Sequence, residues 1–403
     1  MKKFKKVMSL TLVAAMTMAL LAGCGGSAET AAEGETSESE AVETSVAGEG
    51  FKIGAIGPST GGAAVYGLAV KNGAELAIKE INAAGGINGY QIEYNFQDDE
   101  CDNEKSVNAY NTLKDWGMQM LVGTTTSGCC IAVAAESAND NMFQITPSGS
   151  SVDCIKGNDN VYQVCFTDPN QGIATAQYIG ENAVASKVAV IYDSSDVYSS
   201  GIYEKFAAEA ANQSFEIVSA EAFTADNKTD FSVQLQKAKD AGAELVFLPI
   251  YYTEASLILT QANSMGYTPK FFGCDGLDGI LNVENFDASL AEGVMLLTPF
   301  AADAQDDATK SFVSAYEAAY GETPNQFAAD AYDAVYIIKA AVEKSGVTPA
   351  DSVSDICDKM KAAMAEISVD GLTGEAMSWD EDGAVNKAPK AMQIINGNYS
   401  LIQ

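Results

Sequence analysis

From Phe51 onward the chain alternates short apolar runs with amphipathic stretches, and that order restricts the fold more than any other feature. FKIGAIG reads as a strand, 65–84 as a helix, QIEYNF as a strand and 103–116 as a helix. Further on come NVYQVCF, a helix over 170–183, KVAVIYD, a helix over 201–211 and EIVSAEAF. A helix over 231–241 precedes ELVFLPI, another precedes FFGCDG, and EGVMLLTPF closes the series. Short apolar strands alternating with helices of about 10–15 residues indicate parallel sheets covered on both faces. About ten strands exceed one comfortable core. The expected fold class is therefore α/β, with two doubly wound parallel-sheet lobes. In FAADAYDAVYIIKAAVEKSG, the residues Phe327, Ala331, Val335, Ile338 and Val342 form one stripe, which reads as core packing.

One stretch in this series carries the candidate site. Residues 118–151 read as strand (118–122), hydroxyl-rich turn (123–128), helix (129–138), strand (143–145) and a second hydroxyl-rich turn (147–151). In a parallel sheet both turns leave the carboxyl ends of strands, where ligands bind. Ser127 stands at the expected N-cap, with free backbone N–H groups beyond it. Such a helix start attracts a carboxylate or phosphate.

Composition removes several mechanisms. The 403 residues include no His, and all 23 basic residues are Lys, so Arg is absent too. A Ser-His-Asp or Cys-His site cannot be built, nor a zinc site with imidazole ligands. No Arg fork can clamp an anion, which leaves backbone N–H groups, hydroxyls and Lys for that purpose. The net charge of −32 argues against a nucleic-acid partner.

The first residues read as a targeting segment. Lys2, Lys3, Lys5 and Lys6 form a charged start, and 7–22 is an uncharged, mostly apolar run. That run falls short of the roughly 20 residues a membrane span needs. Leu21-Ala22-Gly23-Cys24 resembles the lipobox of bacterial lipoproteins, which implies a signal peptide over 1–23 and lipidation of Cys24. From Gly25 to Gly50 the chain is rich in Ser, Thr, Ala, Gly and Glu and has no aromatic residue, so 24–50 is expected to be a lipidated, disordered acidic tether.

Other motifs fail on inspection. Gly57-Pro58-Ser59-Thr60-Gly61 matches a nucleophile elbow, but the chain has no His to serve it. Asp380-Glu381-Asp382-Gly383 opens like a calcium loop without the closing Glu. Asp98-Asp99-Glu100 with Asp102 reads as a charged loop after a strand, and neither Walker A nor G-x-G-x-x-G occurs. With Cys24 lipidated, seven cysteines remain, so at least one stays unpaired. Cys154 could bridge a hairpin to Cys165, and Cys101 could bridge to Cys129 or Cys130.

Several blocks together point to a family. NGAELAIKEINAAGGINGYQIEYNFQDDECD, then QMLVG, ITPSGSS, VAVIYDSSDVYSSG, YYTEASLILTQANSMGY and FFGCDG stand in a specific order. The chain from Phe51 to its end resembles the branched-chain amino-acid (Leu/Ile/Val-type) substrate-binding lipoproteins of ABC transporters, the type I periplasmic binding proteins. The resemblance implies lobe 1 over 51–168 plus 300–375 and lobe 2 over 169–299 plus 376–403. Three crossovers, near 168–171, 298–300 and 370–379, would form the hinge. It places a ligand carboxylate on Ser127 and on the Gly149 N–H, within the turn that includes Ser148. It places the ammonium group on Ser150 and, from the other lobe, Asp275. Tyr66, Tyr198 and one of Tyr251 and Tyr252 would line the cleft. Thr125 and Thr126 stand where leucine-binding members carry an apolar residue and a half-cystine, which makes that side more polar. Cys101 keeps the other half-cystine position.

The implied role is an extracytoplasmic receptor, tethered to the outer face of the cytoplasmic membrane. It would be a monomer with no enzymatic activity, cofactor or metal, and would deliver an amino acid to an ABC permease and its ATPase. The competing readings are a ligand-sensing subunit for a signalling partner, a receptor for a non-amine carboxylate or amide, and an exported hydrolase, which the missing His disfavours.

Overall fold

The computed structural model describes residues 50–402; the targeting segment, Cys24 and the acidic tether lie outside the described residues. The first sheet consists of β1 (Phe51–Gly57), β2 (Ile92–Asp98), β3 (Met120–Val122), β4 (Phe143–Thr146) and β5 (Val161–Gln163). Its order is β2-β1-β3-β4-β5, and every pairing is parallel. Strand alternation sends side chains to two different layers. Ile53, Ala55, Met120 and Val122 face one hydrophobic cluster. Ile56 and Leu121 face another, together with Tyr110 and Leu113 from α2 (Asn103–Trp116) and Val133 from α3 (Ser127–Asp140).

The opposite face is covered by α1 (Ala64–Ala83), α8 (Asp307–Tyr320), α9 (Gln326–Ser345) and α10 (Val353–Met364). The stripe of Phe327, Ala331, Val335, Ile338 and Val342 is buried on α9 as its spacing predicts. Gly73 of α1 permits the close approach of these two long helices, since a Cβ there would lie 2.0 Å from the Ala328 carbonyl oxygen.

The second sheet is built from β6 (Lys187–Asp193), β7 (Glu216–Phe223), β8 (Leu245–Leu248), β9 (Lys270–Gly273) and β10 (Met295–Thr298). Val188, Val190, Leu245 and Phe247 pack against α4 (Asp168–Glu181) and α5 (Val197–Ala210). Ala189, Ile191, Val246 and Leu248 face α6 (Ser232–Asp240) and α7 (Tyr252–Ser264). Both sheets are therefore doubly wound. One addition goes beyond the sequence reading. An antiparallel hairpin, β11 (Lys390–Ile395) and β12 (Asn398–Leu401), extends the sheet to β7-β6-β8-β9-β10-β11-β12.

The chain passes between the two sheets three times. The chain leaves the first sheet at the start of α4, and returns after β10 to α8. The third differs from the expected 370–379. Residues 376–387 stay with the first lobe, where Gln163 N–H donates to the Gly383 carbonyl and Trp379 Nε1 donates to the Gln163 carbonyl at 2.8 Å. Lys387 is buried against Asp330 of α9 at 2.9 Å. This ion pair and the backbone pairing along β5 carry the segment past the predicted crossing, so the chain reaches the second sheet only at β11. The 300–375 boundary is corrected accordingly.

The acidic residues at and after the end of β2 hold loops and cap one helix. Asp98 accepts from the Ser59 and Glu100 N–H groups and from the Thr60 hydroxyl, and Asp102 caps α2 by accepting from the Glu104 and Lys105 N–H groups. Among the described residues no group of three or more His, Cys, Asp or Glu is placed to hold a metal ion. No helix among them is long and apolar enough to cross a membrane.

Candidate functional site

The two hydroxyl-rich turns stand side by side at the carboxyl edge of the first sheet, because β3 and β4 are adjacent and parallel. Thr146 Oγ1 donates to the Thr124 carbonyl at 2.6 Å, and Ser148 Oγ donates to the Thr125 carbonyl at 2.6 Å. Ser151 N–H donates back to Ser127 Oγ at 3.2 Å. These bonds make one rigid edge of the two turns.

The N-cap of α3 falls one residue earlier than its sequence suggests. Thr126 is the N-cap, in an extended conformation, and Ser127 is the first helical residue. Thr126 makes no capping hydrogen bond; its hydroxyl accepts instead from the Cys101 thiol at 3.6 Å. The first N–H groups of a helix have no partner within it. At α3 this start stands at the carboxyl edge of the sheet beside Ser148, the kind of place that suits an anion.

The second lobe contributes aromatic rings and acid. Tyr198 follows Asp196, which caps α5 by accepting from the Tyr198 and Ser199 N–H groups. The Tyr198 ring stacks on Tyr251 at 5.1 Å, and its hydroxyl donates to Asp275 Oδ1 at 2.7 Å. Asp275 lies just after β9 and is 4 % exposed. Its N–H donates to Gln171 Oε1 at 3.1 Å, and its carbonyl accepts from Gln326 Nε2 at 2.8 Å. Burial pushes its carboxyl up to about 7.

Between these surfaces lies a cavity lined by Tyr66, Thr125, Thr126, Ser127, Ser148, Tyr198, Tyr251, Asp275, Gly276 and Phe327. Its volume is about 10 Å³, room for a single water. No Lys lines it. Direct contacts hold the lobes together around it. Tyr66 Oη donates to the Gly276 carbonyl, Val65 N–H donates to Tyr252 Oη at 3.1 Å, and Thr253 Oγ1 donates to the Gly62 carbonyl at 2.6 Å.

Three of the expected residues do not face this cavity. Tyr252 packs edge-on to Tyr66 behind it. The Gly149 N–H donates to Thr146 Oγ1 at 2.8 Å, and its Cα sits so close to Cys130 that a Cβ would meet the Cys130 side chain at 2.9 Å. Ser150 is fully buried and turned toward Asp168 at the start of α4. The Ser150 hydroxyl and both Asp168 carboxyl oxygens lie close together without a formed hydrogen bond. Gln171 Nε2, on the same first turn of α4, has no partner either. Burial, together with the negative charge of Asp275, raises the Asp168 carboxyl well above the usual carboxylate range.

Phe327 lines the cavity, and Gln171 and Gln326 hold the Asp275 backbone from behind it, with no local signal in the sequence to mark them. Asp168-Pro169 reads locally as a helix start. Phe327 belongs to the core stripe and also stands 4.3 Å from the Tyr66 ring.

Among the described residues the seven cysteines are free thiols. The Cys101 thiol lies within hydrogen-bonding reach of Cys129, and Cys130 within reach of Cys154. The expected Cys154–Cys165 hairpin pair does not form, because β5 runs parallel to β4 and makes no hairpin with the turn of 3-10 helix at Cys154.

The chain is similar to several known proteins. The Leu/Ile/Val-binding protein homolog 3 of Brucella melitensis is 33% identical over 298 residues, covering 73% of this chain and 79% of the relative. The leucine-, isoleucine-, valine-, threonine- and alanine-binding protein of Pseudomonas aeruginosa is 29% identical over 77% of this chain and 83% of its own length. Among solved structures, the branched-chain amino acid transporter substrate-binding protein LivJ of Streptococcus pneumoniae, in complex with isoleucine, superposes with a TM-score of 0.79 at 31% identity. That match covers 87% of this chain and 98% of the other. The sequence model for periplasmic binding proteins matches residues 50–398, nearly the whole described chain, and the protein belongs to that family.

Proposed function

We propose that the protein is the extracytoplasmic solute receptor of an ABC importer and takes a zwitterionic amino acid between its lobes. The observation that carries this reading is the opposition of unlike groups across the cleft. The first N–H groups of α3, with the Ser127 and Ser148 hydroxyls, suit a carboxylate, and the buried Asp275 carboxyl across from them suits an ammonium group. The relatives' names, which specify leucine, isoleucine and valine, support the ligand class. The Thr125 and Thr126 wall favours a smaller or more polar side chain than leucine. The receptor performs no chemistry, acts as a monomer anchored through lipidated Cys24, and hands its ligand to a permease driven by an ATPase.

A thermal-shift screen over amino acids, amides and small carboxylates identifies the ligand, since binding to the folded state alone raises the melting temperature. Calorimetry then tests the charge pair. Asp275→Ala strands an ammonium group in a desolvated cleft and should cost about 2–5 kcal/mol. Ser127→Ala should cost less, about 1–3 kcal/mol, because backbone N–H groups still hold the carboxylate. Near-normal binding by Asp275→Ala beside a crippled Ser127→Ala overturns the amino-acid assignment. For the anchor, Cys24→Ala should fold and bind normally but leave the membrane fraction; retained lipid labelling of that variant contradicts it.

A second reading rests on the same carboxyl. Burial lifts the Asp275 carboxyl to about 7 and raises Asp168 well above the usual carboxylate range, which favours their protonated, hydrogen-bond-donating forms. In that form they suit the oxygens of a ligand with no amine, such as a simple carboxylate or an amide.

A further inference from the structure

Three residues beyond Asp275 the chain buries another carboxyl that the interlobe cavity does not use. Asp278 is 4 % exposed. Its Oδ2 accepts from the Gln326 N–H at 2.9 Å, whereas Oδ1 has no hydrogen-bond partner. The Tyr399 hydroxyl accepts from the Gly279 N–H at 3.0 Å and stands close to the carboxyl without the geometry of a hydrogen bond to Oδ1. Burial lifts this carboxyl to about 6, so at neutral pH it is a buried anion short of one partner.

Asp278 opens into a groove of about 420 Å³, distinct from the cavity beside Asp275. That volume falls in the range of small-molecule sites, roughly 300–1,000 Å³. Leu281, Phe300 and Val313 give it an apolar wall; its rim carries Glu317 and Glu322, and no Lys among the described residues lines it. Its sides come from both lobes: the segment after β9 and the β11–β12 turn on one, α8 and the start of α9 on the other.

These features select the occupant. The carboxylates are too dispersed for an inorganic cation, since no metal-holding group of three exists among the described residues. A zwitterion would bring its own carboxylate into a groove where no cation among the described residues receives it.

We propose that this groove is a second ligand site for a small organic cation. Its ammonium head pairs with Asp278 Oδ1, and its apolar body lies against Leu281, Phe300 and Val313. Because Gln326 of the first lobe holds the other carboxyl oxygen, the occupant touches both lobes at the hinge.

The test uses the full chain at neutral pH with benzylammonium as probe, followed by calorimetry and ligand-observed NMR. Benzylammonium should bind saturably, while benzyl alcohol, of the same shape without the charge, and phenylalanine should not enter this groove. Asp278→Asn keeps the acceptor for Gln326 and should weaken benzylammonium about 30-fold or more. Val313→Trp fills the apolar side while leaving the carboxyl intact, and should abolish binding. Melting curves establish that each variant is folded; if Asp278→Asn is not, Val313→Trp decides. Absence of saturable binding to the wild type overturns the proposal. So does binding that survives in folded Val313→Trp, and loss confined to Asp275→Ala would place the amine in the interlobe cavity.

Discussion

Acidic side chains that are partly or wholly shut away from water set the behaviour of single residues here. Burial favours the neutral form of a carboxyl, so Asp275 is pushed up to about 7 from an ordinary value of 3.8. In the unfolded chain the same group ionises near its ordinary value. Between roughly pH 4 and 7 the folded state therefore binds more protons than the unfolded one, and stability falls as pH rises. Asp168 and Asp278 are raised too and act with the same sign. Asp275→Asn, which mimics the neutral form, should flatten the loss of melting temperature between those pH values, and thermal melts across the range measure it. An unchanged slope would mean that Asp275 is not the titrating group. The bound state adds a further consequence. An ammonium ligand favours the ionised carboxylate, so binding near pH 7 should release roughly half a proton. Calorimetry in buffers of different ionisation enthalpy detects that release. Proton uptake would favour the amine-free ligand instead.

At the scale of elements, the third crossover departs most from its sequence. Lys387 and Asp330 form a pair whose side chains are 1 % and 2 % exposed, and Lys387 also donates to Thr373 Oγ1 at 2.5 Å. Asp333, one turn further along α9, accepts from the Leu372 and Thr373 N–H groups. This cluster pins the returning segment to α9 before the chain enters β11. Lys387→Ala would leave Asp330 buried without its cation, and a loss of about 3–5 kcal/mol is expected. Chemical denaturation measures it, and a loss below about 1 kcal/mol would show that water reaches the site. Nothing local in the sequence marks Lys387, because a single Lys in a polar stretch reads as exposed. The β11–β12 hairpin leaves an equally faint signal, since its strands show only weak alternation and β12 is half exposed. By contrast β1, β6 and β8 were legible from their apolar runs, and α9 from its stripe. The turns at Thr124–Ser127 and Ser148–Ser151 were legible because hydroxyl-rich turns leave adjacent strand ends. The inward rotation of Gly149 and Ser150 was not, since it depends on Thr146, Cys130 and Asp168 meeting from separate elements.

For the whole molecule, the volume of the interlobe cavity determines how a ligand enters. Space for one water cannot accept an amino acid, so binding requires the lobes to part and close again. Among the contacts that oppose parting, Thr253 Oγ1 to the Gly62 carbonyl lies at the rim, away from the cavity lining. Thr253→Val keeps the shape of the side chain and removes that hydrogen bond. Losing it should weaken the closed form by about 0.5–1.5 kcal/mol, a change of roughly 2- to 12-fold in the closed-to-open ratio. A ligand that needs the closed form then loses affinity by up to the same factor, because its binding must supply the missing closure energy. Small-angle scattering of the free variant should give a larger radius of gyration than the wild type, and saturating ligand should bring both to the same compact value. The affinity loss should reside mainly in faster dissociation, since the rim contact forms after the ligand is inside. If free and ligand-bound proteins scatter identically in both wild type and variant, the lobes do not move, and the ligand must enter by side-chain displacement alone.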